Sequence, residues 1–229
     1  MIGVSPVIES PREHREGLRA GFPVRLRGLQ WSDYLALSDI IGDRRIRTHF
    51  CDGEMEILMP SSNHEIWVAI LGQLVEMLTM VMKMDRKSGG QTTFRREDLE
   101  KGLEPDRCYY LHNEPKVREK LKLDLRVDPP PDLAIEVEIA HSVEPRMRVY
   151  AGLGVPEVWR YDGEHLSVHQ LVENGEYVIV ERSKFFPYLP MQELVRFLKQ
   201  YGKMSETRLL DSFIEWAIGE RDSNWKSSK

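Results

Sequence analysis

The sequence predicts a mixed β-sheet with helices packed on it, in the α/β or α+β class. Three observations carry this. Segments with helical periodicity are separated by strand-like segments along most of the chain. Ser62 to Met84 repeats apolar residues at helical spacing: Ile66, Ala69, Ile70, Leu74, Met77, Leu78 and Val81. Asp132 to Ile139 instead alternates polar and apolar residues with the period of a strand.

Taken in order, residues 1–28 read as a loosely held arm, with Pro6, Pro11, Pro23 and many charges. A short helix starts at Ser32 as N-cap and carries Tyr34, Leu35 and Leu37. A hairpin follows, Arg47–Phe50 and Met55–Met59, turned at Asp52-Gly53. The Ser62–Met84 helix comes next, its methionines read as core filler. After Gly89-Gly90, strands are expected around Gln91–Arg95 and Arg107–His112. Glu114–Lys122 leans basic and reads either as a solvated excursion or as a contact for a phosphate backbone. Pro129-Pro130-Pro131 precedes the strand Leu133–Ile139. A helix at Arg146–Leu153 is closed by Gly154. Strands at Glu157–Tyr161, Leu166–Leu171 and Tyr177–Glu181 lead to two helices, Met191–Tyr201 and Glu206–Ile218. The expected organisation is an arm (1–28), a core (29–188) and a C-terminal helical pair packed on it (189–229).

The chain has 229 residues, 41% hydrophobic and 30% charged, as ordinary globular proteins do. A net charge of -5 does not favour a nucleic-acid binder, although 32 Lys and Arg can still cluster on one side. Two cysteines, Cys51 and Cys108, form neither a metal-ligand pair nor a disulfide framework, which implies buried thiols and a reducing compartment. No signal-peptide pattern and no bilayer-length apolar run is evident, so the expectation is a cytoplasmic protein without a membrane partner.

The Asp132–Ile139 strand carries the most chemical information. Leu133, Ile135, Val137 and Ile139 fall on one face; Asp132, Ala134, Glu136 and Glu138 fall on the other. Three carboxylates on one face repel one another and resist burial. A solvated face, a bound cation, or an Arg or Lys partner would each resolve this. Glu104-Pro105-Asp106 enters an earlier apolar run, Cys108 to Leu111. Asp106 reads as a turn residue or as a second ligand; if the two strands pair, Asp106 and Glu136 can share one hard cation such as Mg²⁺. Ser62-Asn63-His64-Glu65 reads as a capping box, with Glu65 equally placed to join an acidic site. His64 is expected at the surface, and Asp132 is expected to order the strand entry. His165 and His169 lack the helical pitch of a zinc pair. Trp67, Trp159 and Tyr161 read as core or interface aromatics.

Pro105-Asp106 followed by Glu136-Val137-Glu138 resembles the PD…(D/E)XK arrangement of metal-dependent nucleases. The match is closer to the Uma-type restriction-endonuclease-like proteins. It rests on Cys51-Asp52-Gly53-Glu54, Pro60-Ser61-Ser62-Asn63-His64-Glu65, Leu103-Glu104-Pro105-Asp106, Asp128 to Val137, and Tyr150-Ala151-Gly152-Leu153-Gly154-Val155-Pro156-Glu157-Val158-Trp159-Arg160-Tyr161. The resemblance spans about Gln30 to Ala217 and implies a restriction-endonuclease-like mixed sheet flanked by helices. It implies Mg²⁺ or Mn²⁺ held by Asp106, Glu136, the Val137 carbonyl and Glu65, and DNA as partner. Glu138 stands where the motif's lysine belongs, and Arg146 where some relatives carry a displaced lysine; both count among the expected catalytic residues. The rival readings are a nuclease-like domain without turnover that serves binding or assembly, and a hydrolase of small phosphoesters. Cutting of both strands would suit a homodimer.

Overall fold

The computed structural model describes residues 22–42, 44–90, 92–139 and 144–227. In chain order the elements are β1 (Val24–Arg27), α1 (Trp31–Ile41), β2 (Arg47–Cys51), β3 (Glu54–Leu58), α2 (Ser62–Val81), β4 (Lys87–Ser88), β5 (Phe94–Arg96), β6 (Lys101–Leu103) and β7 (Arg107–Tyr110). They continue with α3 (Glu114–Val117), β8 (Leu133–Val137), α4 (Glu144–Leu153), β9 (Glu157–Tyr161), β10 (Leu166–Leu171), β11 (Tyr177–Val180), α5 (Met191–Leu198) and α6 (Glu206–Ser227).

The mixed class expected from the sequence is found, but the strands divide between two sheets. One is antiparallel with order β1-β3-β2-β6-β5; the other has order β11-β10-β9-β8-β7-β4. Only β8 and β9 pair in parallel, joined across α4; the other neighbours in that sheet are antiparallel. Val24–Arg27, assigned to the arm from sequence, is instead an edge strand paired with β3. The remainder of the expected arm, residues 1–21, lies outside the described residues.

Local chemistry accounts for the elements that frame the site. The β2–β3 hairpin turns at Asp52 and Gly53, both with positive φ (53° and 76°), as a two-residue hairpin loop requires. Helix α2 begins at Ser62 as expected, but its N-cap is Ser61, which accepts a hydrogen bond from the His64 N–H at 3.3 Å. The helix ends at Val81, three residues short of the periodic pattern, where Lys83 turns left-handed (φ 52°). Gly154, with φ 76°, closes α4 as expected.

Strand β8 is buried along its whole length because both faces are covered. Leu133, Ile135 and Val137 join α2, α5 and α6 in the largest core cluster. Ala134, on the opposite face, packs with Cys108, Val158 and the α4 residues Met147, Val149, Tyr150 and Leu153. Cys51, Phe94 and Leu103 reach this second cluster from the other sheet, so α4 lies between the two sheets. The solvated-face reading of Glu136 is thereby overturned.

The C-terminal stripes serve this same core. Leu209, Phe213 and Ala217 are fully buried, and Phe197 meets Phe213 edge-on at 5.0 Å. Helix α2 is long and apolar enough, by length and composition, to cross a membrane. Its Val68, Leu71, Leu74, Val75 and Leu78 are spent on this core.

Candidate active site

Two carboxylates meet across the β7–β8 ladder. Arg107 pairs with Ile135 in antiparallel register, and continuing one step sets Asp106 opposite Glu136. Directly opposed positions place their Cβ atoms about 4.5–5.5 Å apart. Both side chains are fully buried. Asp106 is fixed by its neighbours: its Oδ2 accepts from the Val137 backbone N–H at 2.8 Å and faces His64 Nε2 at 2.9 Å. The Arg47 guanidinium forms an ion pair with its Oδ1. Arg47 comes from the start of β2, and His64 from the first turn of α2. Arg47 also donates to Glu65 at 2.9 Å, tying the mouth of the site to its interior.

Glu136 shares the Ala134 face and therefore points at α4. Arg146 and Tyr150 stand four residues apart on that helix, hence on one side of it. Arg146 Nη1 donates to Glu136 Oε2 at 2.6 Å, and the Tyr150 hydroxyl donates to Oε1. Arg146 Nη2 reaches Glu56 at 3.2 Å, ninety residues away in sequence. Arg25 also donates to Glu56, at 3.0 Å, and His49 stands 3.5 Å from it.

Burial alone would raise the pKa of Glu56, but Arg146, His49 and Arg25 outweigh it and hold the carboxyl below its ordinary value. Burial, reinforced by Arg146, pushes His49 down to about 4. Burial and the Glu136 charge push the Tyr150 hydroxyl well up. Arg146 is raised, because Glu136 and Glu56 outweigh the cost of its burial. Glu65 is lowered, chiefly by its hydrogen bond with His64.

The expected site residues thus fall into two groups. Asp106, Glu136, Val137, Glu65 and Arg146 are brought together. Glu138 is set apart, paired with Arg160, whose Nη2 donates to it at 3.1 Å. Arg146 meets Glu136 and Glu56 rather than Glu138. Asp132 does order the strand entry: it accepts from the Leu111 and Asn113 N–H groups at 2.7 and 2.8 Å. The capping-box reading of Glu65 fails because Ser61, not Ser62, is the N-cap, which puts His64 at the third helical position. His64 is buried on Asp106 rather than at the surface. In the basic excursion, Arg118 pairs with Glu114 and Asp85, and Lys120 with Asp128, so these cations are already engaged.

Sequence reasoning missed Arg47, Glu56, His49 and Tyr150. A signal existed for the first three, since Arg47, His49 and Glu56 interrupt the apolar pattern of a hairpin that is buried on both strands. Tyr150 lies in a stretch already singled out by resemblance.

Among the described residues, no group of three or more His, Cys, Asp or Glu side chains is arranged to hold a metal ion. The chemistry of the donors nonetheless suits a hard cation: carboxylate oxygens, with Glu65 beside them. The fold recruits Arg47, His64 and Arg146 to these carboxylates, which marks the locus as one that demands positive charge. A cation at Asp106 would compete with Arg47. Glu65, 41% exposed, opens onto a cleft of about 340 Å³ lined also by Arg44, Arg45, Ile46, Pro60 and Ile66.

These features define a mixed α/β protein with a charged, carboxylate-centred site between a sheet ladder and its crossover helix. The family model for Uma2, described as "Putative restriction endonuclease", matches residues 31–198, and the chain belongs to this family. Among solved structures, one described as "a putative nuclease belonging to DUF820 from Anabaena variabilis" aligns over 81% of this chain and 99% of its own, with 15% identity and a TM-score of 0.46. No curated protein matches the chain.

Proposed function

We propose that the protein is a Mg²⁺- or Mn²⁺-dependent endonuclease that hydrolyses phosphodiester bonds in DNA. The observation that carries this reading is the buried Asp106–Glu136 pair, opposed across β7 and β8 and surrounded by cationic side chains. Family membership supports the nuclease class. Asp106, Glu136 and the Val137 carbonyl would hold the cation, with Glu65 at the mouth. When bound, such an ion neutralises charge developing on the phosphate and acidifies a water.

The protein's own groups then divide the remaining work. Arg146 holds Glu136 in place from α4, and so acts as a positioning residue. Arg47, released from Asp106, stands at the cleft to meet the phosphate. Glu65 is held ionised by His64 and Arg47, and can take a proton from the attacking water. The water oxygen bonds to phosphorus, the bridging P–O bond breaks, and the products are an alcohol and a phosphomonoester.

The test is nicking of supercoiled plasmid with Mg²⁺ or Mn²⁺ against an EDTA control, using wild type, Asp106→Asn and Glu136→Gln. Metal-dependent nicking by wild type alone is expected. A second reading, a binding or assembly module without turnover, is favoured by one observation: protein donors engage both carboxylates, and Glu138 occupies the lysine position. Folded wild type that nicks with neither metal would establish that reading instead.

A further inference from the structure

The approach to the carboxylates is narrow. Asp106 and Glu136 have no solvent exposure, and the cleft at Glu65 borders them through Arg47, which lines it and pairs with Asp106. Its wall is apolar at Ile46, Pro60 and Ile66, and its rim carries Arg44 and Arg45. The cleft shares Arg44, Ile46 and Glu104 with a longer groove of about 620 Å³ that runs to Thr93 and Arg95. Arg45 and Arg95 are exposed and form no ion pair among the described residues; Arg95 lies 5.7 Å from the centre of the Tyr34 ring.

Two physical arguments decide what this groove can take. A volume near 340 Å³ lies in the range of small-ligand pockets, roughly 300–1,000 Å³, and so suits one nucleotide. The carboxylates lie below the surface, and the backbone of an unpaired or extruded nucleotide can bend into a cleft of this size more readily than that of a stiff duplex. Duplex binding also draws its affinity from many neutralised phosphates. This groove offers few free guanidiniums, interleaved with Glu65 and Glu104, on a protein of net charge -5. An unpaired strand needs fewer such contacts and gains from bases laid on apolar or aromatic surface.

We infer that the site takes its DNA as an unpaired strand, laid along the groove from Arg95 past Arg44 and Arg45, with one base against Ile46 and Ile66 beside Glu65. This rests on the nuclease reading above and names the form of its substrate. The strand would be a single-stranded region, a flap or a frayed end.

The experiment is fluorescence anisotropy in EDTA, with a labelled single-stranded oligonucleotide and the blunt duplex of the same sequence, on wild type and on Arg45→Glu combined with Arg95→Glu. Both arginines are exposed, and circular dichroism checks that the double variant folds. Wild type is expected to bind the single strand about tenfold or more tightly than the duplex, and the double variant to lose about tenfold or more of that affinity. Equal or tighter duplex binding, binding of neither form, or an unchanged double variant would each overturn the inference. Metal-dependent nicking by a protein that prefers duplex leaves the nuclease reading standing and removes this one. Single-strand binding through these arginines without cleavage in Mg²⁺ or Mn²⁺ does the reverse.

Discussion

Asp106 and Glu136 are each surrounded by partners, and that governs what their removal does. From sequence alone, deleting one of several clustered carboxylates relieves repulsion. In the structure Asp106→Ala leaves Arg47 with only the half-exposed Glu65, and Glu136→Ala leaves Arg146 with Glu56 alone. Breaking a buried ion pair costs up to roughly 3–5 kcal/mol, less where a second partner remains, so both alanine variants are expected to unfold at lower urea concentration than wild type. Unchanged midpoints would contradict the pairing. Arg146→Ala should lose stability by removing the buried cation that Glu136 and Glu56 share, while Arg146→Lys retains a charge but loses the two-armed grip of a guanidinium. If Arg146 positions Glu136, single-turnover cleavage per folded molecule should fall in Arg146→Ala and be partly rescued by lysine. A rate that stays at the wild-type level in Arg146→Ala would leave the residue purely structural.

His49 supplies a pH signature. Its pKa falls to about 4 in the folded protein, against an ordinary value of 6.5. Between those values the unfolded chain binds the proton and the folded one does not, so stability is full above the ordinary value and declines as pH falls towards 4. The whole effect is about 3 kcal/mol. Glu56, held below its ordinary value, adds a loss of the same sign at still lower pH. Urea unfolding at pH 7 and pH 5 should show the loss, and His49→Gln should flatten that slope; an equal slope in the variant would point elsewhere.

At the scale of elements, α4 organises the site and α6 protects the core behind it. Phe213 is fully buried on α6, and truncating it to alanine should cost about 3–5 kcal/mol by calorimetry or urea titration. A loss below about 1 kcal/mol would mean that α6 is dispensable to the fold. The hairpin, α2, β8 and α4 were legible because each carries a local code: positive-φ turn residues, a helical apolar stripe, strand alternation or a glycine cap. Strands β1, β4 and β6 were not, being two to four residues long and defined by their partners. Strand β6 contains Gly102, where a Cβ would come within 2.5 Å of the Tyr34 hydroxyl, so the glycine marks a close approach of backbone to ring. The site was half legible for the same reason. Asp106 and Glu136 stand out locally, whereas the wider network is long-range: His64 reaches Asp106 across 42 residues and Arg146 reaches Glu56 across 90. His64 was misplaced because a one-residue shift of the cap changes which side chain of the first turn faces inward.

On the scale of the whole molecule, two sheets clasp α4, three helices cover the outer face of β8, and the carboxylates sit where these layers meet. The family match ends at residue 198, so α6 lies beyond it while contributing Leu209, Phe213 and Ala217 to the shared core. Those stripes are buried in the protein itself, so a homodimer would need another surface; light scattering at micromolar concentration reads this directly. The central claim is that this buried pair exists to hold a divalent cation. The most direct measurement is a crystal structure with Mn²⁺ and its anomalous difference map. The account expects one peak bonded to both Asp106 and Glu136, at the roughly 2.0–2.2 Å typical of a hard cation and oxygen, with Arg47 withdrawn from Asp106. A map without a peak there, with Arg47 and Arg146 still seated on the carboxylates, would contradict it.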